Sequence, residues 1–233
     1  MLRIENLSKR YGNLLALDHV SFEIPSNLIT GLIGPNGAGK TTLLLGLAAF
    51  LPVEGGRVSW DGRPVPAHSR SDIVLYVEDA IRPHALLSLR SVLSFYGRVF
   101  QRTKAYCDDL AERLGLRNFM GSRVGDLSKG AAKRFLIAVG VLSKQPVLML
   151  DEPFDGLDLK QTLDLVPMLR EISAQGRTLV LSIHQLRDAE RVCDRFVLLN
   201  NGRIAGHGTL VELNKQAGRQ EDAGLEEIFL ALT

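Results

Sequence analysis

A glycine-rich loop followed by lysine and threonine carries the clearest chemical signal in the sequence. It lies between the apolar run Ile29–Ile33 and the helical pattern Leu43–Ala48, the strand–loop–helix setting that phosphate-binding loops require. Glycines let successive amides face one concavity, and the following helix adds the positive end of its dipole. We expect Lys40 to reach the terminal phosphates of a nucleotide and Thr41 to bind magnesium. The predicted site comprises Gly34, Pro35, Asn36, Gly37, Ala38, Gly39, Lys40, Thr41 and Thr42.

Two acidic residues after a second apolar run supply the other half of such a site. Asp151 and Glu152 directly follow Val147–Leu150, whose residues are all apolar, as in a parallel strand buried on both faces. Side chains at the carboxyl end of such a strand emerge beside bound phosphates. We predict that Asp151 holds magnesium through water and that Glu152 orients or deprotonates the attacking water. These two motifs alone indicate an ATPase or a GTPase.

The elements that must position these residues follow from the apolar pattern. Short aliphatic and β-branched runs alternate with helical patterns, which predicts an α/β fold with a mainly parallel sheet. The first strands come in close succession between turn residues, so we expect an antiparallel β layer at the N-terminus. The predicted strands are Leu2–Leu7, Val20–Ile24, Ile29–Ile33, Arg57–Trp60, Ile73–Val77, Val147–Leu150, Thr178–Ser182 and Phe196–Leu199.

The middle of the chain has a different pattern. Leu89–Phe100, Lys104–Leu114 and Gly130–Leu142 show helical spacing, and no convincing strand lies among them. We therefore predict a helical subdomain inserted into the sheet. Within a single domain, residues 1–78 and 146–210 would form the nucleotide-binding core, residues 79–145 the helical subdomain, and residues 211–233 a helical tail.

Two later segments predict interruptions. Pro167 lies inside the helical stretch Leu159–Ala174, so we expect a kink or a break near Val166. The polar, glycine-containing segment Ala217–Gly224 is expected to be a flexible link to a last short helix, Leu225–Leu232.

Composition argues against several classes of function. The chain has 233 residues, enough to bury a core without disulfides or a structural metal. Its 28 basic and 26 acidic side chains form no basic stripe, so we expect no nucleic-acid partner. Cys107 and Cys193 are far apart and predict inert thiols in a reducing cytosol. The N-terminus does not resemble an export signal, and no apolar run is long enough to cross a bilayer. Any membrane role should come through a partner.

Three further motifs narrow the predicted function. Leu127-Ser128-Lys129-Gly130 precede a helix, Asp155-Gly156-Leu157-Asp158 come soon after the two carboxylates, and His184 follows a strand. Together with the first two motifs, these residues resemble the ABC ATPase family over about Leu2–Gly208, nearly the whole chain. The resemblance implies that two copies close head to tail around ATP. Each ATP would lie between the phosphate loop of one copy and the signature motif of the other.

The resemblance also implies roles for individual residues. Ser128 and Gly130 would face the γ-phosphate of the ATP held by the partner. Ser128 is placed to cap the following helix, whose free amides would point at an anion; as an isolated string, the motif could be only a helix cap. His184 would sense the γ-phosphate, and Asp158 would lie in a loop that crosses the dimer interface. Tyr11 would stack on adenine, although an aromatic near an edge strand can also be simply packed.

Two positions depart from the family pattern. The family usually has glutamine after the strand that corresponds to Ile73–Val77, where it reaches magnesium; here the residue is Glu78, which we keep as a predicted metal ligand. A carboxylate binds magnesium but adds negative charge beside the triphosphate. Lys129 and Ala131 stand where the signature normally has glycine and glutamine. Anion binding by backbone amides does not depend on these side chains, but slow hydrolysis remains open.

The function implied is that of an ATP-hydrolysing ABC transporter subunit that dimerises and drives a separate membrane permease. It would be cytoplasmic and attached to the inner face of the cell membrane through that permease. The single cassette and the tail from Gly224 to Thr233 favour a stand-alone bacterial exporter-type subunit, although the tail could also be a packed helix without directional meaning. Two alternatives stay open: a soluble ABC ATPase outside transport, and a regulatory nucleotide-binding module with weak turnover. The permease would select the transported substrate.

Overall fold

The computed structural model describes residues 1–79, 81–219 and 223–233. Across these ranges the strands form two sheets, and most of the helices pack on the second. In chain order the elements are β1 (Leu2–Tyr11), β2 (Leu14–Ile24), β3 (Ile29–Ile33), α1 (Lys40–Leu47), β4 (Gly55–Trp60), β5 (Arg63–Pro64), α2 (Arg70–Ile73), β6 (Val74–Val77), α3 (Leu89–Val99), α4 (Lys104–Arg113), α5 (Lys129–Leu142), β7 (Val147–Asp151), α6 (Leu159–Ala174), β8 (Thr178–Ile183), α7 (Leu186–Val192), β9 (Arg195–Asn200), β10 (Arg203–Gly208), α8 (Leu210–Gln216) and α9 (Leu225–Leu232).

The first sheet is the antiparallel layer that the sequence predicts. Its strand order is β2-β1-β4-β5, with β1 paired to both β2 and β4. Leu2, Ile4 and Leu7 of β1 are buried while intervening side chains reach solvent, because one face of the sheet packs on the core and the other faces water.

The second sheet has the order β10-β9-β3-β8-β7-β6. Its strands are parallel from β9 to β6, and β10 pairs antiparallel to β9 at the edge. Every residue of β3, β7 and β8 is buried, which explains why their sequences are mainly apolar and do not alternate. The predicted α/β fold with a mainly parallel sheet is confirmed.

Helix α1 is enclosed between the two sheets. Its residues Leu43, Leu44 and Leu47 share a buried cluster with side chains from β1, β2 and β4 and from one face of the parallel sheet. The other face of that sheet packs against α5, α6 and α7. The phosphate loop therefore leads into a helix whose apolar side chains are packed between the two sheets.

The helical subdomain consists of α3, α4 and α5, which contact one another. Between residues 81 and 142 the structure contains no strand, only an isolated bridge between Ser88 and Arg123. Helix α5 begins at Lys129, one residue before its predicted start, with Ser128 as its N-cap. Its buried residues, including Phe135 and Leu136, join the subdomain to the larger core.

The structure corrects several sequence-based expectations. A kink or a break was expected near Val166, and helix α6 is continuous through Pro167, so no break occurs. Pro167 is exposed, so the carbonyl that lacks its helical partner lies on the solvent side. Strand β10 was not predicted, because its glycines at 206 and 208 weaken the strand pattern. Helices α7 and α8 were also missed, each only seven residues long.

The C-terminal helix α9 forms as predicted. Leu225 and Ile228 are fully buried and pack in the main core, where α9 contacts α7 and α8. Residues 220–222 of the predicted link lie outside the described residues. No described helix is both long and apolar enough to cross a lipid bilayer.

Candidate functional site

The phosphate loop follows β3 and turns sharply into α1. Gly37 and Gly39 have φ angles of 81° and 106°, in the left-handed region that favours glycine. A Cβ on Gly39 would lie 2.7 Å from the carbonyl oxygen of Ala16, so the close approach to β2 also requires glycine. Ala38 is buried behind the loop, and its carbonyl accepts a hydrogen bond of 3.0 Å from the Gly202 amide.

Gly202 ties the loop to both sheets. It lies in the turn between β9 and β10, and its own carbonyl accepts a hydrogen bond of 2.8 Å from the Asp18 amide in β2. Asp18 also forms an ion pair of 2.6 Å with Arg203. The back of the phosphate loop is thereby fixed, and its front is left open.

Lys40, the first residue of α1, is buried inside the loop. Its Nζ donates to the carbonyl oxygens of Gly34 at 2.7 Å and Pro35 at 3.2 Å. Burial lowers the pKa of the Lys40 ammonium, and the nearby Asp151 and Glu152 partly oppose that shift. The ammonium is thus held beside the loop amides, where the phosphates of a nucleotide would lie.

An open cleft of about 670 Å³ lies in front of the loop and brings the two predicted half-sites together. Tyr11 is half-exposed at its rim, with Lys9 Nζ 5.3 Å from the ring centroid, so one ring face lies near a cation. Gly34 and Ala38 support the cleft from behind without lining it. The cleft is lined by Tyr11, Leu14, Leu15, Ala16, Pro35, Asn36, Gly37, Gly39, Lys40, Thr41, Thr42, Asp79, Asp151, Glu152, Asn201 and Gly202.

Asp151 ends β7 with its carboxylate held by two hydroxyl groups. Ser182 Oγ donates to Oδ1, and the Tyr76 hydroxyl donates to Oδ2 at 3.0 Å. Burial, reinforced by the Asp151 charge, raises the pKa of Tyr76 far above its usual value, so Tyr76 stays a hydrogen-bond donor. The two donors fix the orientation of the carboxylate.

The donor set at this end of the cleft suits a hard divalent cation. Thr41 offers a hydroxyl and Asp151 a carboxylate, and oxygen ligands of this kind are those that Mg²⁺ takes alongside water and substrate phosphates. Within the described ranges, no group of three or more His, Cys, Asp or Glu side chains could hold a metal by itself.

Glu152 follows in a strained backbone conformation. Its φ is 47°, unusual for a residue with a side chain. Its amide donates to Ser182 Oγ at 3.0 Å and to the Ser182 carbonyl at 3.2 Å. Its Oε2 lies 2.6 Å from Nδ1 of His184, which follows β8. The predicted catalytic pair is thus in direct contact at the edge of the cleft.

The signature motif, residues Leu127 to Gly130, lies on the helical subdomain. None of its residues lines the cleft. Ser128 Oγ accepts a hydrogen bond of 3.3 Å from the Ala131 amide, so the predicted N-cap is confirmed. Lys129 forms an ion pair of 2.8 Å with Asp155, which lowers the pKa of Asp155. A Cβ on Gly130 would lie 2.8 Å from the Gly156 carbonyl, so α5 starts directly against the loop that follows Glu152.

Asp158 caps the next helix. Its side chain accepts a hydrogen bond of 2.8 Å from the Gln161 amide, and the Gln161 side chain reaches back to the Asp158 amide in a capping box. The segment from Asp155 to Asp158 is therefore fixed at both ends, by Lys129 at one and by α6 at the other.

The loop after β6 differs from expectation. Glu78 is exposed and does not line the cleft, whereas the next residue, Asp79, does. The Asp79 carboxylate contacts Nζ of Lys133, a buried residue of α5. The metal role of Glu78 stays a prediction. Of these two adjacent acids, Asp79 is the one that lines the cleft.

The residues missed from the sequence include four with polar side chains that contact Asp151 or each other: Tyr76, Asp79, Lys133 and Ser182. Asp79 is adjacent to the predicted Glu78, and the position of Ser182 two residues before His184 was an available signal. Tyr76 and Lys133 lie in segments that read as ordinary strand and helix, and their roles depend on contacts between distant parts of the chain.

Comparison with known proteins identifies the family of this chain. A Nod factor export ATP-binding protein I from Burkholderia lata is 34% identical over 87% of this chain and 69% of its own. The family described as ABC transporter matches residues 17–155. The chain belongs to the ABC transporter family. Like other members of that family, it is an ATP-binding and ATP-hydrolysing transporter subunit.

Relatives in the ABC transporter family carry different transport names. A sulfate/thiosulfate import ATP-binding protein from Mycolicibacterium paratuberculosis is 35% identical over 91% of this chain and 60% of its own. A solved ATP-binding subunit of an ABC transporter superposes with a TM-score of 0.89, at 29% identity, over 100% of this chain and 99% of that one. A dimeric bacterial ABC transporter cassette, 21% identical, shares the fold with a TM-score of 0.78 over 90% of this chain and 98% of that one. Both import and export names occur, so similarity does not decide direction.

Proposed function

We propose that this ABC transporter subunit binds Mg·ATP in the cleft before the phosphate loop and hydrolyses it with Glu152 and His184. The observation that carries the proposal is that Lys40, Asp151 and Glu152 line one cleft, with His184 bonded to Glu152. Adenine would stack on Tyr11 at the rim. The loop amides and Lys40 would bind the phosphates.

Magnesium would be held by Thr41 directly and by Asp151 through water, and would neutralise charge on the phosphates. Ser182 and Tyr76 keep the Asp151 carboxylate oriented for this task. Glu152 would accept a proton from the attacking water or orient it, and His184 would hold Glu152 and contact the γ-phosphate. Asp79 adds a further carboxylate at this edge of the cleft; we retain Glu78 as a predicted ligand only if its loop turns inward.

We further propose that two copies close around two ATP molecules. Ser128 and Gly130 do not line the cleft of their own copy, and they stand at the start of a helix whose free amides suit an anion. In a head-to-tail pair they would meet the γ-phosphate held by the partner. The segment from Asp155 to Asp158 adjoins them and would lie at the same interface.

The closed pair would drive a separate membrane permease, from the inner face of the cell membrane. We propose export as the direction, because the single cassette and the tail from Gly224 to Thr233 resemble stand-alone exporter-type subunits. Co-purification with a candidate permease, followed by ATP-dependent accumulation in inside-out vesicles, would support export. Accumulation in right-side-out vesicles would contradict it.

The test compares three purified proteins: wild type, Lys40→Ala and Glu152→Gln. We expect the wild type to hydrolyse ATP, Lys40→Ala to lose nucleotide binding, and Glu152→Gln to bind ATP with only a small residual turnover. Size-exclusion chromatography in Mg·ATP should show a dimer for Glu152→Gln and a monomer for Lys40→Ala. Turnover by Glu152→Gln at the wild-type rate would refute the assignment of the catalytic base. ATP binding without turnover in the wild type would favour the regulatory module instead.

A further inference from the structure

The peptide group that joins Asp151 to Glu152 is held at both of its polar atoms. Its carbonyl oxygen, on Asp151, accepts a hydrogen bond of 3.2 Å from Nζ of Lys133. Its N–H, on Glu152, donates to both oxygens of Ser182. Because Glu152 has a φ of 47°, the chain turns sharply here, and rotation of this peptide would redirect the Glu152 side chain.

Lys133 reaches this peptide from a different part of the molecule. It lies on α5, one turn after the Ser128 cap, and its side chain is only 4% exposed. Lysine is almost never fully buried unless it is paired. Here the second partner is the Asp79 carboxylate in the loop after β6. The Lys133 ammonium therefore connects α5 to the end of β7 and to the loop after β6, which lines the cleft.

We propose that Lys133 is a positioning residue for hydrolysis. Its ammonium fixes the peptide that precedes Glu152, and Asp79 holds the ammonium in place. This inference rests on the proposed role of Glu152. It also links the helical subdomain to the peptide that precedes the catalytic carboxylate, because a shift of α5 moves the ammonium group that holds the Asp151 carbonyl.

A purely structural role for the buried pair predicts something different. Loss of Lys133 would then lower stability and reduce activity by the same factor whatever residue stands at position 152. If Lys133 acts through Glu152, its loss should matter only while the carboxylate is present, because residues that act as a unit are non-additive.

The experiment is a mutant cycle on the ATPase rate. Wild type, Lys133→Met, Glu152→Gln and the double variant are assayed for kcat and KM under saturating magnesium. Lys133→Met should lower kcat by between about tenfold and a hundredfold, the range expected for a group displaced by about 1 Å, while KM for ATP changes less than about threefold. In the Glu152→Gln background, Lys133→Met should cause no further loss. Lys104→Met is the matched control, because Lys104 is an exposed lysine at the start of α4.

Two results would overturn the inference: a kcat for Lys133→Met within threefold of the wild type, or an equal loss in both backgrounds. Failure of the proposed function appears separately, as full activity in Glu152→Gln or none in the wild type. Circular dichroism establishes that each variant is folded. Should Lys133→Met fail to fold, Lys133→Gln replaces it under the same criteria.

Discussion

At the scale of single residues, Ser182 serves both carboxylates with one hydroxyl group. Its Oγ donates to Asp151 and accepts the Glu152 amide, and the residue is fully buried in β8. Ser182→Ala leaves a buried carboxylate oxygen and the strained Glu152 amide each with one partner fewer. We expect a loss of about 1–3 kcal/mol in the free energy of unfolding, measured in urea, together with slower ATP hydrolysis. Unchanged stability and rate would contradict this reading of the contact.

Thr30 offers the opposite case in the neighbouring strand. Its hydroxyl is buried in β3 and has no hydrogen-bond partner within the described residues. Thr30→Val has nearly the same shape and removes an unsatisfied polar group, so we expect stability to be unchanged or raised by about 1 kcal/mol. Urea unfolding beside Ser182→Ala makes the comparison direct, since both sites are buried strand hydroxyls. A clear loss of stability would mean that a water molecule or another group satisfies Thr30.

The predicted site residues were found either because they act within one short segment or because they match a family motif. The phosphate loop from Gly34 to Thr42 needs only its own glycines and the helix that follows it, so spacing along the chain reveals it. Lys133 acts across 54 positions on Asp79, and no local pattern reports such a contact. Glu78 was preferred to Asp79 because it occupies the position of the family's glutamine after the strand, and the direction in which each side chain points cannot be predicted from the sequence.

At the scale of elements, the start of α5 depends on contact with the loop after Glu152. A Cβ on Gly130 would lie 2.8 Å from the Gly156 carbonyl, so Gly130→Ala must push the helix start away. We expect ATP-dependent dimerisation and hydrolysis to fall at least tenfold, while ATP binding to the monomer stays within about twofold, because Gly130 does not line the cleft. Filter binding and chromatography measure the two effects.

Gly121→Ala is the control for that variant. Gly121 lies in the same subdomain, and an added Cβ there meets no atom within 4 Å. It should behave as the wild type. Equal losses in both variants would show that the subdomain tolerates no change, and would remove the argument from close packing.

Helix α6 is expected to gain stability when its proline is replaced. Pro167 removes one backbone hydrogen bond from the helix interior and is exposed, so its ring contributes little burial. Pro167→Ala should raise the free energy of unfolding by about 1–2 kcal/mol, since the helical gain exceeds the entropy returned to the unfolded chain. A lower midpoint in urea would show that the proline fits a bend on which the packing depends.

At the scale of the whole molecule, α9 completes the core beneath α7 and α8. Leu225 and Ile228 are fully buried there. Removal of residues 220–233 exposes the surfaces that these two side chains cover, so we expect a loss of about 3–5 kcal/mol. Thermal unfolding with and without nucleotide measures it. Leu230→Ala is the control, because Leu230 is largely exposed, and a loss as large there would contradict the assignment of the buried face.

Fold class was predictable because the two sheets have different periodicities. Continuous apolar runs predict the buried parallel strands, and close turns predict the antiparallel layer. The elements that were not predicted lie at the sheet edge and on the surface. Strand β10 carries glycines, and α7 and α8 are too short to show a clear apolar period. Their positions are set by packing on the sheet rather than by local preference.

The hydrogen bond from Gly202 to the back of the phosphate loop has a consequence for hydrogen exchange. The Gly202 amide is engaged by Ala38, so it can exchange with deuterated solvent only when the β9–β10 turn separates from the loop. Its exchange rate would therefore report how often the phosphate loop separates from the β9–β10 turn. Nucleotide bound in the cleft should slow this exchange, so the rate at this one amide measures the rigidity of the phosphate loop.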